Sequence, residues 1–324
     1  MPIFIIARLT FLEAVRRRIL LAAFLLGVAF LLLYSFGFYM MRQEVTRPGA
    51  TSEVGSALLK NGIDNFLTLA GLYAVNFLAI AMGALVSADT LAGEISSGTI
   101  QALVTKPLRR AEIVFGKWLG FAGLLALYLV LMVGGVMAVA YALDGYVVPN
   151  VWNGIALIYL ETLLIMTVTL LCSSMISTLA TGGVIFGLYG IAFIGGWVEQ
   201  FGALLQNQAA INIGILSSLI IPSEALWRRA AYEMTPPIAQ VLGVAFSGPM
   251  LTVSVPSELQ VFYAIGYLVV MLAILPGQRL MRLEFLHDRM DAPCFGDDLG
   301  QRQGAHRRSR AFCGPGRNLQ RLSA

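Results

Sequence analysis

The residues whose types and spacing could do chemistry lie in two places. Between Asp89 and Lys117, the charges of Glu94, Lys106, Arg109, Arg110 and Lys117 surround a small apolar set, Ile100, Leu103 and Val104. Elsewhere Glu161 is the single charge inside a long apolar run, and Asn76 is a carboxamide inside another. The first group suits docking of a partner, and the second suits a polar point on a pathway. Neither suits bond-making. The two histidines, His287 and His306, both lie near the C-terminal end. There is no HExxH zinc pattern, no GxSxG nucleophile elbow and no pair of carboxylates within an apolar run. Gly116-Lys117 is followed by Trp118, and position 111 is alanine, so no phosphate-binding loop is present. Cys172, Cys294 and Cys313 show no paired spacing. We therefore expect no catalytic residues, no metal and no cofactor of the chain's own. If ATP drives this protein, a partner must bind the nucleotide.

The elements that carry these residues follow from composition. The 324 residues are 58% hydrophobic and 12% charged, about half the charge of an ordinary soluble domain. Apolar runs of about 20 residues mark membrane spans. They fall at 19–39, 66–86, 118–142, 155–179, 182–198 and 261–278, and Glu161 is the charge that interrupts them. The expected fold is an all-α polytopic integral membrane protein with six spans. The first apolar run is too long for a cleaved signal peptide.

Lys and Arg give the orientation. One set of connections holds Arg8, Arg16, Arg17, Arg18, Lys106, Arg109, Arg110, Lys117, Arg279, Arg282 and Arg289; the other holds Arg42, Arg47, Lys60, Arg228 and Arg229. The first set is the denser, so it is expected in the cytosol with both termini, in a plasma (inner) membrane. The pI of about 9.0 then reports topology and not nucleic-acid binding.

Residues 199–260 resist a simple reading. Ala209–Ile221 is too short to cross, and 238–255 is broken by Gly248-Pro249. Two additional spans would keep the charge rule; re-entrant or interfacial helices in the outer leaflet, buried near a pathway mouth, are the preferred reading. Residues 3–18 place Phe4, Ala7, Phe11, Ala14 and Val15 on one helical face, with Thr10, Glu13 and Arg17 opposite. That pattern reads as an interfacial helix on the inner leaflet, or as a basic foot on a longer first span. Residues 1–290 form the permeation domain of this reading. The stretch 291–324, rich in arginine and glycine without apolar periodicity, reads as a disordered cytosolic tail.

The loop at 87–117 is the most informative segment. A helix leaves the membrane, Ser96-Ser97-Gly98 breaks it, a short helix spans 99–105, and Pro107 stops that helix. Glu94, Gly98, Thr99, Leu103, Pro107, Arg110, Gly116 and Lys117, in this order and within a six-span layout, resemble the permeases of ABC-2 type transporters. In particular they resemble the branch containing the membrane subunit of the nitrous-oxide reductase copper-maturation transporter. Ser173-Ser174, Ile221-Pro222 and Leu226-Trp227-Arg228 extend the likeness, which covers roughly residues 3–289. The resemblance implies that the loop is a coupling helix seated in a groove of a separate ATP-binding cassette subunit. It also implies that two permease chains, alike or different, form the pathway in the bilayer, as an exporter subunit without its own ATP site.

On that reading Glu94, Gly98, Thr99, Ile100, Leu103, Pro107 and Arg110 serve coupling, while Glu161 and Asn76 line the pathway. Several plainer roles stand beside these. Glu94 could pair with Arg109 or Arg110 and hold the loop's shape. Pro107 and Gly98 could serve only as turn formers, and Lys117 as a side chain reaching the headgroups. Glu161 could sit at the outer interface if the fourth span begins later. Glu224, Arg228, Arg229 and Glu233 read as a solvated outer face. Gly183 and Gly187, with the other glycines of the fifth span, suit close helix packing, read as packing within one chain. A scaffold that recruits a cytosolic protein without transport is the alternative function. A mostly apolar pathway leans towards a hydrophobic or amphipathic cargo.

Overall fold

The computed structural model describes residues 2–16, 18–45, 53–96, 110–237, 240 and 254–291. The chain divides into two compact units, Met1–Met281 and Arg282–Ala324. Of the second, the described part is the helical end at 282–291. The described helices are α1 (Pro2–Arg16), α2 (Arg18–Val45), α3 (Glu53–Ser96), α4 (Arg110–Asp144), α5 (Val151–Ser173), α6 (Thr178–Leu204), α7 (Gln208–Ile220), α8 (Ser223–Glu233) and α9 (Glu258–Asp291).

Six of these are long and apolar enough to cross a membrane: Leu20–Gln43, Lys60–Ala88, Ala111–Asp144, Val151–Ser173, Thr178–Leu204 and Glu258–Pro276. The six-span expectation holds, with shifted ends in the middle of the chain. The fourth helix stops at Ser173, six residues short of the expected end. Ser173 and Ser174 turn their hydroxyls back to the carbonyls of Leu170 and Leu171 at 3.0 and 2.7 Å. This local bonding competes with helix continuation, and the turn's apolar Met175 and Ile176 hid it from a hydropathy reading. The fifth helix runs to Leu204 and so takes in Glu199, which the sequence reading placed outside the membrane.

Helices α3 and α5 form the centre. Leu69, Leu72, Val75 and Ala79 of α3 join Ile158, Met166 and Leu170 of α5 and Leu125, Leu129 and Val136 of α4 in one apolar cluster. A second cluster links Ile80 and Ala84 with Leu164, Ile165, Ile185, Tyr189 and Leu226. Polar links fix register between these helices. Trp118 Nε1 donates to Thr167 Oγ1 at 2.9 Å, and Tyr159 donates to the Ala122 carbonyl at 3.0 Å. Helix α2 lies at the periphery and turns Leu21, Leu25, Leu26, Leu32 and Leu33 outward. Such a face is stable against lipid or another chain, not against water.

Helices α7 and α8 are bent by 108° at Ile221-Pro222, where proline cannot continue the preceding helix. This is the re-entrant pair expected after the fifth span. Helix α7 packs back along α6 through glycines: a side chain at Gly195 would collide with Ser217, one at Gly202 with Ala210, and one at Gly214 with Glu199. Of the expected segment 238–255, only Gln240 and the two residues from Ser254 are described.

The N-terminal helix is separate from α2, but its buried face differs from the expected one. Ala7, Thr10 and Ala14 are buried, while Phe4 and Val15 are exposed. The reason is backbone contact. A β-carbon on Gly120 of α4 would lie 2.7 Å from the Ala7 carbonyl oxygen and 2.9 Å from Thr10 Cβ, and one on Gly116 would meet Ile6. Small residues let α1 rest on the start of α4, leaving Phe4, Ile5, Leu9 and Leu12 outward. Lys117, between those glycines, is buried at 8% exposure and does not reach out to headgroups.

Candidate functional site

The stems of the 87–117 loop are described, and residues 97–109 between them are not. Helix α3 continues to Ser96, about 12 Å past its last span residue, Ala88, at 1.5 Å per residue. Glu94 thus lies on a helical extension, and Arg110 opens α4. Gly98, Thr99, Ile100, Leu103 and Pro107 lie outside the described residues. The base of the loop is braced by α1 through Gly116 and Gly120, which gives the Gly-Lys part of the sequence pattern a packing role.

The second place is a polar cluster inside the bundle. Glu161 is residue eleven of α5, about 15 Å from the helix start and so close to halfway across a 30 Å hydrocarbon core. It has 0% exposure. The helix of the fourth span, α5, begins at Val151, ten residues before Glu161. Asn76 of α3, also at 0% exposure, adjoins Glu161. Tyr73 of α3 and Tyr189 of α6 share the same electrostatic neighbourhood, as does Glu224 of α8. Aromatic rings wall this region: Tyr73 lies 4.9 Å from Trp227 and 6.3 Å from Phe193 between ring centroids.

Glu224 and Arg228 do not form the solvated face that their charges suggested. Both are buried, at 5% and 2% exposure. Arg228 grips Glu199 bidentately, Nη1 to Oε1 at 2.7 Å and Nη2 to Oε2 at 2.8 Å. Ser254 adds a hydroxyl to Glu199 Oε1 at 2.6 Å. Glu224 packs against Gly196, where a side chain would collide with it. Helix α8 is thereby locked to α6 by its charged face. Arg229 and Glu233 are partly exposed and paired at 2.9 Å. They border a cavity of about 310 Å³ also lined by Asn153, Leu157, Val261 and Phe262. Sequence reasoning missed Glu199, Glu224 and Arg228 as buried groups. The available signal was the i,i+4 spacing of Glu224 and Arg228 beside Trp227, which puts charge and ring on one face.

At the opposite side of the span midpoint from the loop, Asp144 receives Arg42 and Lys60, each at 3.1 Å. This ties α2, α3 and α4 together. The glycines of α6 divide into two sets. Gly195, Gly196 and Gly202 are filled by neighbours within the chain, whereas Gly182, Gly183, Gly187 and Gly190 meet nothing within 4 Å among the described residues. Among the described residues, the packing of Gly183 and Gly187 within one chain finds no neighbour.

The model of the ABC-2 family transporter proteins matches residues 4–276, which takes in α1, all six spans and the bent pair. The chain belongs to that family. No curated protein matches it. It is thus an ABC-2 type membrane permease, and the likeness to one branch, noted in the sequence, goes no further than the family. Among the described residues of this permease no group of three or more His, Cys, Asp or Glu could hold a metal ion.

Proposed function

We propose that this ABC-2 permease is the membrane-spanning subunit of an ATP-driven exporter. A separate ATP-binding cassette subunit hydrolyses the nucleotide, and the 87–117 loop carries its motion to the spans. The observation that carries the reading is the family match over residues 4–276, joined to a loop whose second helical stem, the start of α4, is braced by α1. Glu94 and Arg110 stand on the loop's two stems, and Gly98, Thr99, Ile100, Leu103 and Pro107 form the tip that enters the partner. The loop and both termini face the cytosol of the plasma (inner) membrane, supported by the lysines and arginines around α1, the loop and the end of α9.

A second permease chain completes the pathway. The glycines of α6 that meet nothing within 4 Å among the described residues, with Gly183 and Gly187 exposed, support it, because small residues permit close helix approach in a bilayer. Asn76 and Glu161 line the pathway of each chain. The likeness to the copper-maturation branch remains the finer reading of the same pattern. The test is co-expression with a cassette ATPase encoded beside the permease. The intact chain should bring the ATPase through purification, and the complex should hydrolyse ATP where the permease alone does not. A permease that purifies without any ATPase, and leaves its activity unchanged, would contradict the proposal.

A further inference from the structure

Buried charge inside the bundle does not balance. Around Glu161 the interacting groups are Tyr73 and Asn76 of α3, Tyr189 of α6 and Glu224 of α8, and Glu224 in turn meets Glu199 of α6 and Arg228 of its own helix. Helix α4 carries charge only towards its ends, at Arg110, Glu112, Lys117 and Asp144, and the spanning part of α9 carries only Glu258. Three carboxylates therefore share one guanidinium. Glu199 occupies that guanidinium with both oxygens, which leaves Glu161 and Glu224.

Neither Glu161 oxygen is in a well-formed hydrogen bond, Asn76 being its one polar side-chain neighbour of hydrogen-bonding type, and Oε2 of Glu224 likewise has none. Asn76, wholly buried beside Glu161, has neither its amide nitrogen nor its oxygen in a well-formed hydrogen bond. Glu161 and Glu224 are in electrostatic contact at 0% and 5% exposure, with Arg228 near Glu224 but bound to Glu199, and two such carboxylates cannot both stay ionised. At 0% exposure of Glu161 and Asn76, the ligand that needs no volume is a proton. A hard metal cation would demand about six oxygen ligands.

We infer that Glu161, together with Glu224 and Asn76, forms a proton-binding site in the middle of the permease, loaded while the bundle is closed. When the helices part and water reaches the site, Glu161 gives its proton to that water and becomes a carboxylate, so opening is linked to proton release. The closed bundle is then favoured by acid and the open one by base. This rests on the permease reading only for its second half. A loaded carboxyl inside a dry bundle stands whether or not an ATPase binds.

The two halves separate experimentally. The full chain in lipid nanodiscs near neutral pH should show an infrared carbonyl band of a protonated carboxyl, shifted in heavy water. The band should diminish in Glu161→Gln, and Glu224→Gln should shift or diminish it. An unchanged band in a folded Glu161→Gln, or no such band in the wild type, overturns the site. With the ATPase bound, wild-type ATP turnover should rise with pH by up to about tenfold per unit, the limit for one linked proton. Glu161→Gln should flatten that slope. Equal slopes in both proteins overturn the linkage to opening and leave the infrared result to decide the site.

Discussion

At the scale of single residues, the buried pair Arg228–Glu199 is the clearest commitment of the fold. A buried charge that loses its partner costs about 3–5 kcal/mol, whereas replacing both members by apolar groups can be nearly neutral. Arg228→Met should therefore lower the thermal stability of the detergent-solubilised permease sharply. Arg228→Met combined with Glu199→Met should recover most of the loss. A melting temperature unchanged in the single variant would show that the pair is not buried as described. Glycines act at the same scale. Gly120→Leu places bulk against the Ala7 carbonyl and Thr10, and overpacking of this kind costs about 1–3 kcal/mol. It should release α1 and raise proteolysis near the N-terminus, whereas Gly134→Leu, at a position with nothing within 4 Å, should not. Equal proteolysis of the two would remove the proposed docking of α1.

At the scale of elements, the proposed coupling role assigns different tasks to the two parts of the 87–117 loop, partner binding to residues 98–107 and transmission to the stems. Ile100 and Leu103 stand three apart, a spacing that would put them on one face of the short helix expected from the sequence. Truncation of Leu103 to Ala should weaken capture of the ATPase by about 1–3 kcal/mol, the usual worth of a buried leucine. Glu94→Ala, on the stem, should keep the complex and its ATP hydrolysis. Retention of full ATPase capture by Leu103→Ala, read by co-purification, would move the contact elsewhere. The spans were legible in the sequence because lipid demands long apolar runs, and the bent pair because prolines and glycines interrupt a run too short to cross. The end of α5 was not, since the serine turn at 173–174 is followed by apolar Met175 and Ile176. The buried face of α1 was misread for a related reason. Hydrophobicity marks what avoids water, but close backbone approach selects small residues such as Ala7, Thr10 and Ala14, and the large apolar residues go to the lipid. Glu161 and Asn76 were visible as polar residues in apolar runs. Glu199, Glu224 and Arg228 were not, because the i,i+4 spacing of Glu224 and Arg228 announces only a shared face, and their burial against Glu199 is made by the hairpin of α6 with α7 and the bend into α8.

At the scale of the whole molecule, orientation and motion are the claims to be tested. Val147 and Leu205 are exposed at 68% and 75% and lie in the turns after α4 and α6, on the side expected to face outward. Introduced cysteines there should react with an impermeant thiol reagent in intact cells, and one at Ala92 should not. Val148 and Ala230 suit this purpose less well, being buried at 3% and 0%. Outside labelling at position 92 would invert the topology. The central claim is that the loop converts ATP hydrolysis into movement of the spans. The most direct measurement is the distance distribution between spin labels at Val147→Cys and Leu205→Cys in the reconstituted permease–ATPase complex. It is recorded without nucleotide and after trapping with ATP and vanadate, in the wild-type background and with Glu94→Ala. The account predicts a nucleotide-dependent shift in the first background and its loss in the second, with hydrolysis retained in both. A distribution that stays the same while the wild-type complex hydrolyses ATP would contradict it and leave a membrane scaffold in place of a transporter.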